Sequence, residues 1–152
     1  RLKMSEPGYQ EHGSQRMPIE DRANGVRVKV IAGETSSGTR GPVTAEATQP
    51  IYFDIELPAD GEFVEPVRSD RAAFIVAHEG RIAVGDKTLE AVGLAELGTG
   101  DTVRLRAADG PARALLIAGK PINEPVVWHG PFVMNTQEEL LQAIDDYQAG
   151  RF

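Results

Sequence analysis

Short alternations of apolar and polar residues, each ending at a turn dipeptide, constrain the fold of this chain more than any other feature. Residues 51–57 and 102–106 alternate in this way, which is typical of strands with one buried face. The turn dipeptides are Asp60-Gly61, Gly85-Asp86 and Asp109-Gly110. They predict three β-hairpins, and short strands spaced by about 8–12 residues indicate a β-sandwich or barrel.

Two further runs complete the predicted strand pattern. Residues 72–77 are apolar throughout, which predicts a strand covered on both faces. Residues 82–84 lead into the second turn dipeptide, and we expect the returning strand over residues 88–92. Sixteen glycines and ten prolines agree with a turn-rich β architecture.

One helix is predicted, at the C-terminal end of the chain. Thr136 is a preferred N-cap residue, and Glu139 three residues later completes a capping box. Gly150 is placed to end the helix as a C′ glycine. Apolar residues at helical spacing form one apolar stripe: Leu140, Leu141, Ile144 and Tyr147.

The predicted boundaries divide the chain into an arm, a barrel and the helix. Residues 1–24 contain several prolines and glycines and no sustained period, so we expect an inter-domain linker or extended arm there. The barrel is expected over residues 25–135 and the helix segment over residues 136–152. Because the chain opens on Arg1, we expect it to be part of a longer protein.

Composition excludes several classes of function. With 16 basic and 23 acidic residues the net charge is −7, and no basic block suggests direct nucleic-acid binding. The absence of cysteine excludes disulfides, thiolate zinc sites and a cysteine nucleophile. No apolar run approaches the roughly 20 residues that span a bilayer, and no signal peptide is evident. We expect a cytoplasmic protein without membrane contact, or a nuclear one in a eukaryote.

The order of strands and turns resembles a cupin, a double-stranded β-helix barrel of the jelly-roll type. In that family two glycine-framed motifs supply three His and one Glu as metal ligands. Here Gly61, Gly80 and Gly100 match the frame. The ligand positions are then occupied by Val67, Ser69, Ala73 and Pro111. These side chains are unsuited to the transition metals of cupins, so we expect no metal or catalytic site in this chain.

Other candidate chemistry is weak. The three histidines, His12, His78 and His129, show no metal-ligand spacing, and an assembled site is the less favoured alternative to ordinary hydrogen bonding. His78 and Glu79 could form an acid–base pair, but adjacent strand residues point to opposite faces. Trp128 and Phe132 are expected to anchor a core or interface, with ligand stacking as the alternative.

The C-terminal residues resemble the signature of the pirin family. Residues 129–136 read His-Gly-Pro-Phe-Val-Met-Asn-Thr, and residues 146–152 read Asp-Tyr-x-x-Gly-x-Phe. Residues 25–34 and 40–44 look like the opening of the pirin C-terminal domain, and residues 3–10 look like the segment that joins the two halves. Pirins are bicupins, so the resemblance implies a second, N-terminal cupin that this chain lacks.

The resemblance also implies a function. In pirins, iron (Fe²⁺) is bound in the N-terminal barrel and the C-terminal barrel has lost its ligands. Family members are assigned quercetin 2,3-dioxygenase activity, and this chain alone is expected to be inactive. The alternatives are a redox-sensing transcription cofactor or protein-binding module, and a purely structural domain. The expected partners are the N-terminal cupin of the same protein and, beyond it, other proteins.

An assembly role is therefore expected for the C-terminal region. We expect an apolar surface where the N-terminal half docks. The residues predicted to pack across the domain boundary are Trp128, Phe132, Leu140, Ile144 and Tyr147.

Overall fold

The fold is a mainly β architecture with one C-terminal helix, as predicted. The computed structural model describes residues 3–6 and 8–151. A 3₁₀ turn at Ser14–Arg16 precedes the first strand. The strands and helix are β1 (Ile19–Asp21), β2 (Arg27–Ala32), β3 (Ile51–Leu57), β4 (Glu62–Pro66), β5 (Ala72–Glu79), β6 (Ile82–Val84), β7 (Lys87–Leu89), β8 (Gly93–Glu96), β9 (Thr102–Ala107), β10 (Ala112–Gly119), β11 (Val127–His129), β12 (Phe132–Met134) and α1 (Gln137–Gln148).

Two antiparallel sheets enclose the core. One has the order β1-β2-β3-β10-β5-β8 and the other the order β4-β9-β6-β7. Alternate side chains of each strand point inward, which is why β3 buries every second residue. The fully buried core side chains include Phe53, Phe63, Ile75, Leu105 and Leu116. This arrangement is a sandwich, as the strand pattern predicts, and it is the jelly roll that the resemblance to cupins implies.

Two of the three predicted hairpins are wrong. β3 and β4 lie in different sheets, and so do β9 and β10, so the turns at Asp60-Gly61 and Asp109-Gly110 carry the chain from one sheet to the other. Only the turn at Gly85-Asp86 closes a hairpin, between β6 and β7. A turn dipeptide marks where the chain reverses, but it does not determine which strand the next one pairs with.

The strands after the second turn also differ from the prediction. β7 ends at Leu89, and Val92 has a φ of 63° before β8 joins the other sheet beside β5. The expected single strand over residues 88–92 is therefore the end of β7 followed by a turn, and the next strand, β8, begins only at Gly93. β5 buries alternate residues, and the intervening Phe74 and Val76 are only half-buried, so it is not covered fully on both faces.

The expected arm contributes a strand to the larger sheet. β1 pairs with β2, with Glu20 opposite Val28. Arg22, just after β1, reaches β4 and contacts Glu65, a carboxylate that is only 2% exposed. The arm is thus ordered structure from Ser14 onward, because a buried charge on the barrel needs its cationic partner.

The chain divides into two compact units at limits other than those predicted. Residues 10–121 form the barrel unit. The second unit comprises the described residues before Gln10 and residues 122–151, so the hairpin of β11 and β12 groups with the helix. Pro7 and Phe152, which contribute to the family resemblance, lie outside the described residues, as do Arg1 and Leu2.

The helix begins and ends as predicted. The Thr136 hydroxyl accepts a hydrogen bond from the Glu139 backbone N–H at 3.2 Å, and the Glu139 carboxylate accepts one from the Thr136 N–H at 3.1 Å. Gly150 has a φ of 67°, as a C′ glycine does. Of the predicted apolar stripe, Leu140 is buried, whereas Leu141 and Tyr147 are 53% and 66% exposed; Ala143 is buried in addition. Among the described residues, no helix has the length and apolarity that crossing a bilayer requires.

Candidate functional site

A cavity opens between the two sheets at one end of the barrel unit. In an antiparallel sandwich the ends of some strands and the starts of others meet at the same edge, and here β4, β6 and β8 end where β5 and β9 begin. The cavity has a volume of about 260 Å³. Its apolar lining consists of Val67, Ala73, Val84, Leu97 and Val103.

Two of the four degenerate ligand positions lie in this cavity. Val67 and Ala73 line it and are 5% and 6% exposed. Ser69 is exposed in the turn between β4 and β5 and does not line the cavity. The structure therefore places the first and third ligand positions of the frame in the cavity and the middle one outside it.

Pro111 does not belong to this cavity. It precedes β10 at the opposite end of the sandwich, where a Cβ added to Gly80 would lie 2.5 Å from the Pro111 carbonyl oxygen. The β9 residue that shares the cavity with Val67 and Ala73 is Val103. The frame begins at Gly100, whereas the strand that leads into this end of the sandwich opens at Gly93. Strand alternation over residues 102–106 was the signal that could have identified Val103.

The chemistry of these three positions does not support a metal. Valine and alanine side chains offer no lone pair, whereas cupin metals require imidazole or carboxylate ligands. Within residues 3–6 and 8–151, no group of three His, Asp or Glu side chains is arranged to hold a metal ion. The residues of this chain therefore do not fit the iron that the family resemblance implies.

Each of the three histidines has surroundings of its own. His12 lies 3.5 Å from the Gln10 amide oxygen, and His129 is exposed in β11. His78 lies on β5 with its Nε2 atom 3.7 Å from Asp54 Oδ1. Glu79 lies 3.7 Å from Arg113, so it is not directed at His78 as an acid–base pair would require.

Arginine side chains contribute charge to the lining of the cavity. Among the described residues, the charged ones in this lining are Arg68, Arg71 and Arg104. Arg68 holds Asp70 through two hydrogen bonds of 3.0 and 2.8 Å, and these lower the pKa of the Asp70 carboxyl below its ordinary value. Arg104 pairs with Glu62 at 2.9 Å. The cavity thus combines an apolar floor with a cationic rim.

The second unit presents an exposed apolar surface. Trp128 is 72% exposed and stands directly opposite Val133, which is 42% exposed, so both side chains lie on one face of the β11–β12 hairpin. Val126, which the sequence analysis missed, is 63% exposed immediately before β11. We call Val126, Trp128 and Val133 the hairpin patch. Aromatic residues exposed to this extent beside aliphatic ones are typical of an interface.

The other predicted packing residues differ in their accessibility. Leu140 is expected from the sequence to contact the other half of the protein. The structure contradicts this, because Leu140 is only 2% exposed and its side chain cannot reach a partner. Tyr147 is 66% exposed, and its ring lies edge-on to that of Phe132 at a centroid distance of 5.7 Å. Ile144 and Phe132 are half-buried. The helix therefore contributes Tyr147 and Leu141, not Leu140, to the exposed apolar surface.

Comparisons with known proteins agree with this geometry. The sequence profile of the Pirin C-terminal cupin domain matches residues 52–152. A pirin-like protein of Caulobacter vibrioides is 53% identical over 152 residues, which is 100% of this chain and 55% of that protein. Pirin of Homo sapiens is 39% identical over 152 residues, which is 96% of this chain and 51% of that protein.

A solved structure shows the same fold over nearly the whole chain. The crystal structure of quercetin 2,3-dioxygenase from Acinetobacter baumannii superimposes with a TM-score of 0.87 at 31% identity, over 99% of this chain and 52% of that one. The chain spans about half the length of the curated relatives that it matches. With the cupin sandwich, the matched profile and these relatives in agreement, this chain belongs to the pirin family and carries its C-terminal cupin domain.

Proposed function

We propose that this chain is the metal-free, non-catalytic half of a pirin-like bicupin and that it acts by docking an N-terminal cupin. The observation that carries the proposal is the apolar cavity lining at Val67, Ala73 and Val103, where a metal-binding cupin would need ligands. The chain also matches only about half of each relative, so a partner half of comparable length fits the comparison.

The docking surface we propose is the hairpin patch. Burying a large aromatic side chain at the centre of an interface contributes strongly to affinity, and Trp128 is the most exposed member of the patch. The aliphatic side chains of Val126 and Val133 would flank it and exclude water. The occupant is the preceding cupin half, because a contact within one chain needs no independent affinity.

The intact protein is proposed to be an iron-dependent quercetin 2,3-dioxygenase. Support comes from the name of the Acinetobacter baumannii structure and from the family resemblance. Because the residues of this chain do not fit iron, the metal and its chemistry would reside in the N-terminal half. The role left to this chain is to hold that half in its folded, assembled state.

Binding between separately produced halves tests the docking proposal. The half of the Caulobacter vibrioides pirin-like protein outside the matched region is mixed with this chain, and binding is measured by calorimetry. Trp128→Asp is expected to weaken binding by at least about thirtyfold, the scale of an interface hot spot. Leu94→Asp places the same charge at an exposed apolar residue of the barrel unit and is the control, with unchanged affinity expected. Equal losses in both variants would refute the patch.

Oxygen uptake with quercetin tests the activity of the assembly. The reconstituted, iron-loaded pair is expected to consume oxygen, whereas this chain with iron alone is expected to show only the background rate. If the bound pair shows no turnover, the regulatory alternative is favoured. The net charge of −7 then favours a protein partner over direct nucleic-acid contact.

A further inference from the structure

We propose that the cavity at the end of the barrel unit binds a small carboxylate with an apolar body, at the place where other cupins hold a metal. The cavity has two parts with different chemistry. Its floor is aliphatic, and its rim carries three arginines and, within residues 3–6 and 8–151, no acidic residue. An apolar body would fill the floor while the carboxylate meets a guanidinium. This inference does not depend on docking or on dioxygenase activity.

The charge at the rim is unusual for this chain. The net charge is −7, yet each charged residue that the structure describes in the cavity lining is an arginine. A concave surface of one charge sign with low-dielectric walls concentrates ions of the opposite sign. Arginine also offers donors in a planar fork that matches a carboxylate, which makes it suited to recognising that group.

Arg71 is the arginine best placed to bind the ligand. Arg68 and Arg104 each have a carboxylate partner, Asp70 and Glu62 respectively. Within the part of the chain that the structure describes, Arg71 has no such partner within 4.0 Å. Its hydrogen bonds go to neutral oxygens of Gln49, at 2.5 Å to the carbonyl and 3.5 Å to the amide. Asp70 also interacts with the charge of Arg71, but its hydrogen bonds go to Arg68, so a ligand carboxylate would give Arg71 a hydrogen-bonded counter-ion.

The size of the cavity limits the ligand. A volume of about 260 Å³ lies just below the usual range of roughly 300–1,000 Å³ for ligand pockets, so a single ring or short branched chain is expected. The loop at its edge leaves space, because a Cβ added to Gly98 or Gly100 would meet no atom within 4 Å. Inorganic phosphate would leave the aliphatic floor uncovered. A neutral ring would leave Arg71 without a hydrogen-bonded counter-ion.

Calorimetric titration with benzoate tests the inference on the purified chain. Benzyl alcohol is the neutral probe of similar shape, and inorganic phosphate is the anion without an apolar body, all at matched ionic strength. Benzoate is expected to bind with a Kd on the order of 1 mM, as suits a ligand of so few atoms. The other two probes are expected to bind at least about tenfold more weakly, because each satisfies only one part of the cavity.

Substitutions at the cavity and away from it show where benzoate binds. Arg71→Gln is expected to weaken benzoate binding at least about tenfold, the value of one charge-assisted contact. Arg81→Gln is the matched control at the opposite end of the barrel unit, where Arg81 pairs with Glu90 and Asp109, and it should bind as the parent does. If Arg71→Gln lowers the thermal midpoint of unfolding, Ala73→Leu is tested instead. Its larger side chain fills the aliphatic floor of the cavity and should abolish benzoate binding while the protein stays folded. Absence of benzoate binding, equal binding of benzyl alcohol or phosphate, or unchanged affinity in both cavity variants would overturn the inference.

Discussion

The buried contact between Arg22 and Glu65 makes a quantitative prediction about stability. The Arg22 guanidinium donates to Glu65 Oε2 at 2.5 Å and to the Val64 carbonyl at 2.9 Å, and it lies 4.7 Å from the centroid of the Phe63 ring. The other Glu65 oxygen accepts the Ser36 N–H at 2.5 Å. Arg22→Met would keep much of the side-chain volume. It would leave the Glu65 carboxylate buried with the neutral Ser36 N–H as its hydrogen-bond donor.

The magnitude follows from the exposure of the two partners. Removing one member of a buried ion pair costs about 3–5 kcal/mol, because the remaining charge is left without compensation. The Glu65 side chain is 2% exposed but that of Arg22 is 17% exposed, so water can enter after the substitution and the lower end applies. We expect Arg22→Met to reduce the free energy of unfolding by about 3 kcal/mol. With a urea m-value of about 1.5 kcal/mol per molar, the midpoint should fall by about 2 M.

Urea denaturation followed by far-ultraviolet circular dichroism measures this loss. Arg27→Met is the matched control, since Arg27 pairs with Asp21 and Glu56 but its side chain is 49% exposed. Exposed ion pairs contribute about 0–1 kcal/mol, so its midpoint should move little. If Arg22→Met costs no more than Arg27→Met, the buried pair does not hold the arm as argued.

A double variant separates the ion pair from simple loss of packing. Replacing both members of a buried pair by apolar residues is often neutral. We therefore expect Arg22→Met with Glu65→Met to be about 2 kcal/mol more stable than Arg22→Met alone. The Ser36 N–H that loses its acceptor is on an exposed residue and can bind water. Additive destabilisation of the two single variants would refute the electrostatic reasoning.

Two other predictions concern acid stability and a close backbone approach. Burial raises the pKa of Glu20, but hydrogen bonds from Thr35, Thr39 and Arg22 together hold it below its ordinary value of 4.5. Native Glu20 therefore binds fewer protons than unfolded Glu20, so it stabilises the fold above about pH 4.5 and loses this contribution as the pH falls through the folded pKa. Urea midpoints at about pH 6 and pH 3 should differ less in Glu20→Gln than in the parent, and an equal difference would contradict the assignment. Gly80 and Gly85 have similar φ values of 68° and 62°, but a Cβ would lie 2.5 Å from a carbonyl oxygen at Gly80 and in open space at Gly85. Gly85→Ala should cost about 1 kcal/mol and Gly80→Ala about 2–4 kcal/mol in thermal or urea unfolding, and equal costs would show that the contact relaxes freely.

Local chemistry was sufficient to predict the elements of this fold. β3 coincides with the alternation over residues 51–57, and the capping box of α1 forms between Thr136 and Glu139. Both depend on contacts between residues close in sequence, or on one repeating pattern, and such signals are present in the sequence itself. The same holds for the turn at Gly85-Asp86, which joins two strands that pair with each other.

The errors share a cause in long-range pairing. Asp109-Gly110 is as good a hairpin signal as Gly85-Asp86, but β10 pairs with β3 and β5 and not with β9. The frame places the fourth ligand position at Pro111, which lies at the other end of the sandwich. The cavity residues Val67, just after β4, and Val103, in β9, meet only when these two strands pair. No local pattern encodes that meeting.

The position of β10 has a consequence for how the barrel unit is made in the cell. This strand lies between β3 and β5 in the larger sheet, although it is the last strand of its unit in chain order. Ala118 stands opposite both Ile51 and Ala73, so residues from three distant stretches must meet in one row. During synthesis, β3 and β5 therefore have unpaired edges until the ribosome has released residue 119. β10, which joins the two parts of the larger sheet, is synthesised after the other strands of the barrel unit. Until it pairs with β3 and β5, the unpaired strand edges leave most of the barrel prone to aggregation.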